Sequence, residues 1–273
     1  MKYFDTHVHT VNSHDGKQTV WEACEAAIAK GISGISVTDH ADTWFFERDN
    51  TLVNIAQSVE RAKEADEKYK GRLRVFHGVE VGEPLSYTDR TAELLEHNSF
   101  DLVIGSVHSV VSGDIRDSYS RIDWSEKTDE EIHAFLEKYF TQMYEMTVGA
   151  DFDILAHLSC PLRYLNGKYD RHVSLDGYSD VIDEILAANI ERGRSLEINT
   201  SGIGTPFGQF MPDAAILGRY KALGGKMITF GTDAHESARV GCGLAEAAEL
   251  ARSLGFDRYN YYENRKAVPV RLD

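Results

Sequence analysis

Seven times along this chain of 273 residues a short apolar run gives way to a stretch of helical periodicity. The runs cover 2–9, 34–40, 73–81, 101–108, 152–157, 195–200 and 226–235, and the helical stretches 18–30, 51–69, 88–97, 128–148, 174–192, 212–223 and 243–254. Strand followed by helix, repeated without interruption, builds parallel βα units. Gly31 and Gly71 stand where helices are expected to stop, and Thr128-Asp-Glu-Glu has the composition of a helix start. Residues 41–50, 109–126 and 158–173 read as loops, and the tail through Val268-Pro-Val-Arg as a short final strand. No linker, repeat or low-complexity segment appears, so 1–273 is expected to form one domain.

Polar residues close nearly every apolar run: His7 and His9, Asp15 or His14 just beyond, His40, Glu80, His108, His157, Asp233 and His235. In an open sheet such strand ends spread along an edge, whereas in a closed barrel they meet at one face. The expected fold is therefore α/β, a TIM-like distorted (β/α)7 barrel with its site at the carboxyl ends of the strands. His7 and His9, two apart on a strand, point the same way. Neutral imidazole is the commonest protein ligand for zinc, iron and manganese.

A single strand-end histidine is more often a hydrogen-bonded neighbour than a ligand. Here six of the eleven histidines fall on one predicted face, together with acids. The other histidines differ. His97 and His133 lie on helix surfaces, His77 in mid-strand and His172 in a loop, all with structural roles. Glu80, a carboxylate inside an apolar run, needs a partner and stands where it can bridge two ions. Nine candidates exceed what one metal uses, so two or three divalent ions are expected. Ligation by His, Asp and Glu without Cys suits zinc, manganese or iron, and adjacent ions polarise a phosphoryl oxygen and generate hydroxide near neutral pH.

A net charge of −15 argues against nucleic acid or an anionic membrane as partner, and part of the acidic excess is the kind that divalent cations offset. Cys24, Cys160 and Cys242 form no CxxC pattern, and no apolar run reaches membrane-spanning length or reads as a leader. A cytoplasmic location is expected. The sequence carries no mark of oligomeric state.

His7-x-His9, Ser13-x-Asp15-Gly16, Thr38-Asp39-His40, Gly78-x-Glu80, Gly105-Ser-Val-His108, Ala156-His157 and Asp233-Ala-His235 together resemble the successive motifs of the polymerase and histidinol phosphatase (PHP) family. Each is weak alone; their order and spacing are specific, and they run from the first strand to the last. Leu196-Glu-Ile-Asn-Thr-Ser-Gly202 and the Gly224-Gly-Lys run resemble the histidinol-phosphatase branch. The resemblance implies one ion held by His7, His9, Glu80 and Asp233, a second by Glu80 with His108 and His157, and a third by Asp15, His40 and His235. Asp15 is preferred there over His14, because family members often read Ser-x-Asp-Gly.

The implied reaction is hydrolysis of a small phosphomonoester, L-histidinol phosphate above all, with metal-bound hydroxide attacking phosphorus in line. Asp233, Arg163 and His235 are the candidate catalytic residues. Arg163 offers a fork that fits phosphate, Asp233 or a metal-bound water is a proton source for the leaving alkoxide, and Asp42 is a candidate for a substrate amino group. One departure stands out. No basic residue follows Thr200-Ser201-Gly202 until Arg219, and Arg116, Arg121 or Arg171 would have to substitute. Alternatives are a phosphatase of a nucleotide or sugar phosphate, a PHP-type phosphodiesterase or nuclease, and a metal-binding protein without catalysis.

Overall fold

The computed structural model describes residues 2–113 and 115–272; Met1, Asp114 and Asp273 of the expected 1–273 domain lie outside the described residues. The strands are β1 (Phe4–Val8), β2 (Gly34–Val37), β3 (His40–Asp42), β4 (Arg74–Gly82), β5 (Leu102–Ser106), β6 (Ser109–Ser112), β7 (Ile115–Ser118), β8 (Ile154–Leu155), β9 (Ser195–Asn199), β10 (Ile228–Gly231), β11 (Arg258–Glu263) and β12 (Lys266–Arg271). The helices are α1 (Val20–Ala29), α2 (Thr51–Lys68), α3 (Thr88–His97), α4 (Asp129–Gly149), α5 (Pro161–Leu165), α6 (Ser179–Glu191), α7 (Ala214–Ala222) and α8 (Leu244–Ser253).

Parallel pairing in the order β1-β2-β4-β5-β8-β9-β10 fills the seven expected strand positions. The ring is drawn together at its carboxyl end, where the Asp233 amide donates to His7 O (2.8 Å) and the His9 amide to Ala234 O (2.9 Å). The fold is thus a distorted (β/α)7 barrel. Ile35, Val79, Ile104, Ile154, Leu196 and Ile228 are fully buried in its sheet. Local signals set the helices. Thr19 with Glu22 and Thr128 with Glu131 form capping boxes at α1 and α4, and Gly31 takes the left-handed conformation (φ +69°) after α1. No helix among the described residues is long and apolar enough to cross a membrane.

Four segments differ from the sequence reading, each for a local reason. The second strand breaks at Thr38–Asp39, so that β2 pairs with the first half of β4 and β3 with the second. There the Asp39 carboxylate accepts from Thr10 N (2.6 Å), Thr10 Oγ1 (2.8 Å), Ser13 Oγ (2.7 Å) and Ser58 Oγ (2.5 Å), pulling the chain out of the ladder. The expected loop 109–126 contains the antiparallel hairpin β6–β7, turning beside Gly113 (φ +59°). The loop 158–173 contains α5, started by Pro161, whose fixed φ suits a first turn. The tail is not one strand but the hairpin β11–β12, which closes the amino end of the barrel. Its Tyr259 stacks on Phe230 (4.4 Å between centroids) and its Tyr261 on Phe4 (4.2 Å).

Candidate metal centre

Backbone irregularities aim the strand-end side chains inward. Between Asp5 and Val8, β1 uses three residue steps where β2 uses two (Asp5↔Ile35, Val8↔Val37), a bulge around Thr6–His7 of the kind that re-aims side chains beside active sites. His7 and His9 consequently lie with ring centroids 5.0 Å apart. His40 opens β3 directly opposite Glu80 of β4. His157 (φ +21°) and Asp233 (φ +53°) adopt left-handed conformations that non-glycine residues seldom take. Hydrogen bonds hold them there: the His157 amide donates to Glu197 Oε2 (2.8 Å) and the Asp233 amide to His7 O (2.8 Å).

All nine residues expected as ligands come together at this end, around the buried Glu80. Its Oε1 lies 2.9 Å from His157 Nε2 and 3.1 Å from His108 Nε2, and its Oε2 lies 2.9 Å from His40 Nδ1, 3.3 Å from His7 Nε2 and 3.6 Å from His9 Nε2. Asp233 Oδ1 is 3.2 Å from His9 Nε2 and 3.6 Å from His235 Nδ1. Asp15 reaches His235 Nε2 (3.3 Å) and His40 Nε2 (3.6 Å), whereas the ion-pair contact of His14 is with Asp15 itself, at 3.9 Å.

Glu80 Oε1 is within hydrogen-bond distance of His108 and His157, but other atoms of the cluster are left without partners. His7 Nε2, His9 Nε2, His40 Nδ1, His157 Nδ1 and Glu80 Oε2 are buried and have no hydrogen-bond partner. His40 and His235 face each other nitrogen to nitrogen at 3.4 Å. Donor atoms that converge in this way leave shared points between them. Three sets meet that description: His7–His9–Asp233, His40–Glu80–His108 and His9–His40–His235. Among the described residues the first set is the implied first-ion set without Glu80, and the other two contain the implied pairs Glu80–His108 and His40–His235.

The electrostatics follow from this crowding. Burial would raise the Glu80 carboxyl, but the charges of His108, His7 and His40 hold it well below the usual carboxylate range. Burial, with His40 and His235 nearby, pushes His9 well below an ordinary imidazole. For His108 burial acts downward too, yet Glu80 and Asp42 carry it well upward. Uncompensated buried charges of this density are costly, and a divalent cation is the compensation that suits acids and neutral imidazoles together.

Behind these side chains stand groups that orient them. Glu197 Oε1 lies 2.7 Å from His7 Nδ1, and its Oε2 accepts from the His157 amide and from Asn199 Nδ2 (3.1 Å). Sequence reasoning quoted Glu197 only within a motif. Yet a carboxylate between Leu196 and Ile198 carries the same signal that singled out Glu80. Ser13 Oγ sits 3.2 Å from His9 Nδ1 and accepts from the His40 amide (3.0 Å). Asp42, expected as a free carboxylate for a substrate amine, is instead buried with Oδ1 2.9 Å from His108 Nδ1. Its geometry is that of a group that orients His108.

The cleft above is about 860 Å³ and includes Arg163, Arg116, Arg121 and Arg239 among its walls. Arg163 donates to Ser201 Oγ (2.7 Å) and approaches Asp233 Oδ2 (3.7 Å). Arg171 is tied to Trp124 O, Lys127 O and Asp129, and Arg219 to Asp183 and Ser179, so neither belongs to the cleft. Arg239, absent from the sequence reading, donates to Ser201 O (3.2 Å) and Ile203 O (2.8 Å), beside the loop that lacks a basic residue of its own. No local pattern marks it; only the fold carries it there.

The PHP domain family model matches residues 5–201. The histidinol-phosphatase of Lactococcus lactis is 28% identical over 269 residues, 97% of this chain and 96% of that protein. A probable histidinol-phosphatase of Clostridium acetobutylicum is 29% identical over 253 residues, 92% of this chain and 93% of that protein. In three dimensions the chain is similar to the L. lactis histidinol phosphate phosphatase crystallised with zinc, L-histidinol and phosphate, with a TM-score of 0.82 at 24% identity over 98% of this chain and 99% of that one.

Proposed function

The chain belongs to the PHP domain family, and on that premise we propose that it is a metal-dependent phosphomonoesterase that hydrolyses L-histidinol phosphate to L-histidinol and phosphate. The observation that carries the reading is the set of buried, unpartnered nitrogens around Glu80, a donor arrangement that fits divalent ions and little else. We assign His7, His9, Glu80 and Asp233 to one ion, Glu80, His108 and His157 to a second, and Asp15, His40 and His235 to a third. Zinc, manganese and iron all suit these donors. Such ions, when bound, supply Lewis acidity toward a phosphoryl oxygen and lower the pKa of water.

The chain's own residues do the positioning. Arg163 leans over Asp233 from the mouth of the cleft, placed to hold a phosphoryl group by a fork of N–H donors. Asp233 is held ionised, well below the usual carboxylate range, because burial is outweighed by the close approach of His9 and the charges of His7 and His235. It acts in this scheme as a ligand, and it ties the ion set to Arg163. Glu197 and Asp42 fix the tautomers of His7 and His108, the usual task of a carboxylate behind a metal-binding imidazole. Tyr119, Tyr164 and Phe207 wall the cleft and exclude water around the leaving group. The substrate is a small molecule, and the three unpaired cysteines favour a cytoplasmic setting.

The test is phosphate release from L-histidinol phosphate, nucleoside monophosphates and an aryl phosphate by protein stripped of metal and reloaded with zinc or manganese. A kcat/KM for histidinol phosphate well above the others is expected. Turnover of the aryl phosphate alone would remove the substrate but leave the phosphatase, and a fully metallated protein inert toward every monoester would overturn the reading.

A further inference from the structure

Beside the metal-ligand face, the hairpin β6–β7 and the turn after it bring two arginines to the ring of Phe45. We propose that Arg116 and Arg121 form a second anion subsite, which takes a remote phosphate or carboxylate of a substrate whose reacting phosphate sits at the metal centre. The inference rests on the phosphomonoesterase reading and extends it to monoesters that carry a second anionic group.

Arg116 is the anchor. Its side chain is 8% exposed, its Cζ lies 4.2 Å over the Phe45 ring, and its Nε is buried with no hydrogen-bond partner. A buried guanidinium N–H without an acceptor is costly, and guanidinium matches phosphate and carboxylate oxygens with a fork of donors. Arg121 faces the same ring, 5.9 Å from its centroid. Arg48 stacks there as well, at 3.4 Å, but its Nε and Nη2 form a bidentate pair with Asp49 (2.6 and 2.8 Å).

The nearby carboxylates compensate Arg116 only in part and leave its Nε without a partner. Asp42 Oδ2 stands 3.8 Å from Arg116, beyond hydrogen-bond distance, while its Oδ1 is engaged with His108; Asp117 is exposed on the outer wall. The space is continuous with the reaction centre. A side cavity of about 430 Å³ shares Phe45, Arg116, Ser118 and Arg121 with the main cleft of about 860 Å³, itself near the upper end of small-molecule sites (roughly 300–1,000 Å³). Arg163, which faces the reacting phosphate, is a separate cation on α5. The Arg116–Arg121 pair therefore offers positive charge apart from Arg163, and a phosphate held at Arg163 leaves it free for a second anion.

The experiment compares α,ω-alkanediol bisphosphates with alkyl monophosphates of the same length, across linkers of two to six carbons, in the metal-loaded enzyme. ω-Carboxyalkyl phosphates form a third arm and separate a remote phosphate from a remote carboxylate. A remote anion is expected to raise kcat/KM roughly tenfold or more at the best linker length, the range of one or two charge-assisted hydrogen bonds. Arg121→Ala and Arg116→Gln should each reduce that preference to within about threefold. Calorimetric Kd values for the matching bisphosphonates and alkylphosphonates give the same comparison without turnover. Equal kcat/KM with and without the remote anion, in a protein that hydrolyses all the monoesters, overturns the subsite and leaves the phosphatase standing. A preference that survives both substitutions assigns the remote anion to other residues and overturns it too. Failure to hydrolyse any monoester is a failure of the phosphatase reading, and the bisphosphonate affinities then decide the subsite alone.

Discussion

Asp101, at the foot of β5, and Glu80, on the adjacent β4, lie at opposite ends of the barrel, 6% and 0% exposed. Asp101, just before β5, accepts from the His77 amide (3.2 Å) and the Asn264 amide (2.9 Å), with His77 Nδ1 2.8 Å from Oδ2. Asp153 beside it accepts from the Val103 amide (2.8 Å) and from Arg265. These carboxylates are saturated, and they fasten the β11–β12 hairpin to the barrel floor. Glu80 has five imidazoles within 3.6 Å, and one of its oxygens has no hydrogen bond at all. Burial is common to both ends; satisfaction is not. A buried acid whose oxygens all find donors is structural, and one that keeps an unpartnered oxygen among several imidazoles marks a place for a cation.

The sharpest break in this comparison is at Glu80 itself. Glu80→Gln keeps the shape and removes the charge that five imidazoles surround. Loss of bound metal and a fall in kcat/KM on the order of 10³-fold are expected, read by metal analysis and phosphate release. Full metal content with near-normal turnover in this variant would make Glu80 another Asp101. Glu197→Gln comes next. Its effect acts through the His7 tautomer, so metal affinity in a competition titration should weaken roughly 10–100-fold, with restoration of rate at high metal concentration. A merely structural Glu197 would lower the Tm and leave the metal titration unmoved.

The same contrast explains what the sequence made legible. Alternation exposed the barrel, because each βα unit carries its own periodicity, and the strand-end histidines were visible because imidazole in an apolar run has few other uses. Positions set by tertiary contact were not visible. The break at Thr38–Asp39 depends on donors from Thr10, Ser13 and Ser58, on other segments. The β6–β7 hairpin is only four residues per strand, and its outer face mixes exposed Ile115 with Ser112 and Asp117. Asp42 looked free because its partner, His108, lies 66 residues away. Arg239 reaches the cleft by contacts with the backbone of 201–203, which no spacing rule encodes.

At the floor the expected effects are on stability and not on catalysis. Asp101→Ala strands the Asn264 and His77 amides and should cost about 1–3 kcal/mol in urea unfolding, with kcat/KM and metal content unchanged. Burial would raise this carboxyl, but the hydrogen bonds from His77 and Asn264 hold it below its ordinary range. Its folded value lies under the unfolded one of about 3.9, so its stabilisation is complete above that pH and drains away as pH falls through the folded value. The wild-type urea midpoint should therefore decline below about pH 4 more steeply than that of the alanine variant. Parallel declines would remove Asp101 from the account.

The smallest effect is expected where a histidine has neither kind of surrounding. The His172 side chain is 81% exposed, 3.4 Å from an equally exposed Asp170, in a loop outside the cleft. Alanine is the wrong probe, because His172 holds φ +53° and loss of its side chain would mix backbone strain into the result. Asparagine tolerates that conformation and carries no imidazole. His172→Asn should leave stability within about 0.5 kcal/mol, and metal content and kcat/KM at wild-type values. A measurable loss of metal from this variant would mean that imidazole count, and not the convergence of unpartnered atoms around Glu80, governs metal binding in this chain, and the distinction between the two ends of the barrel would fall with it.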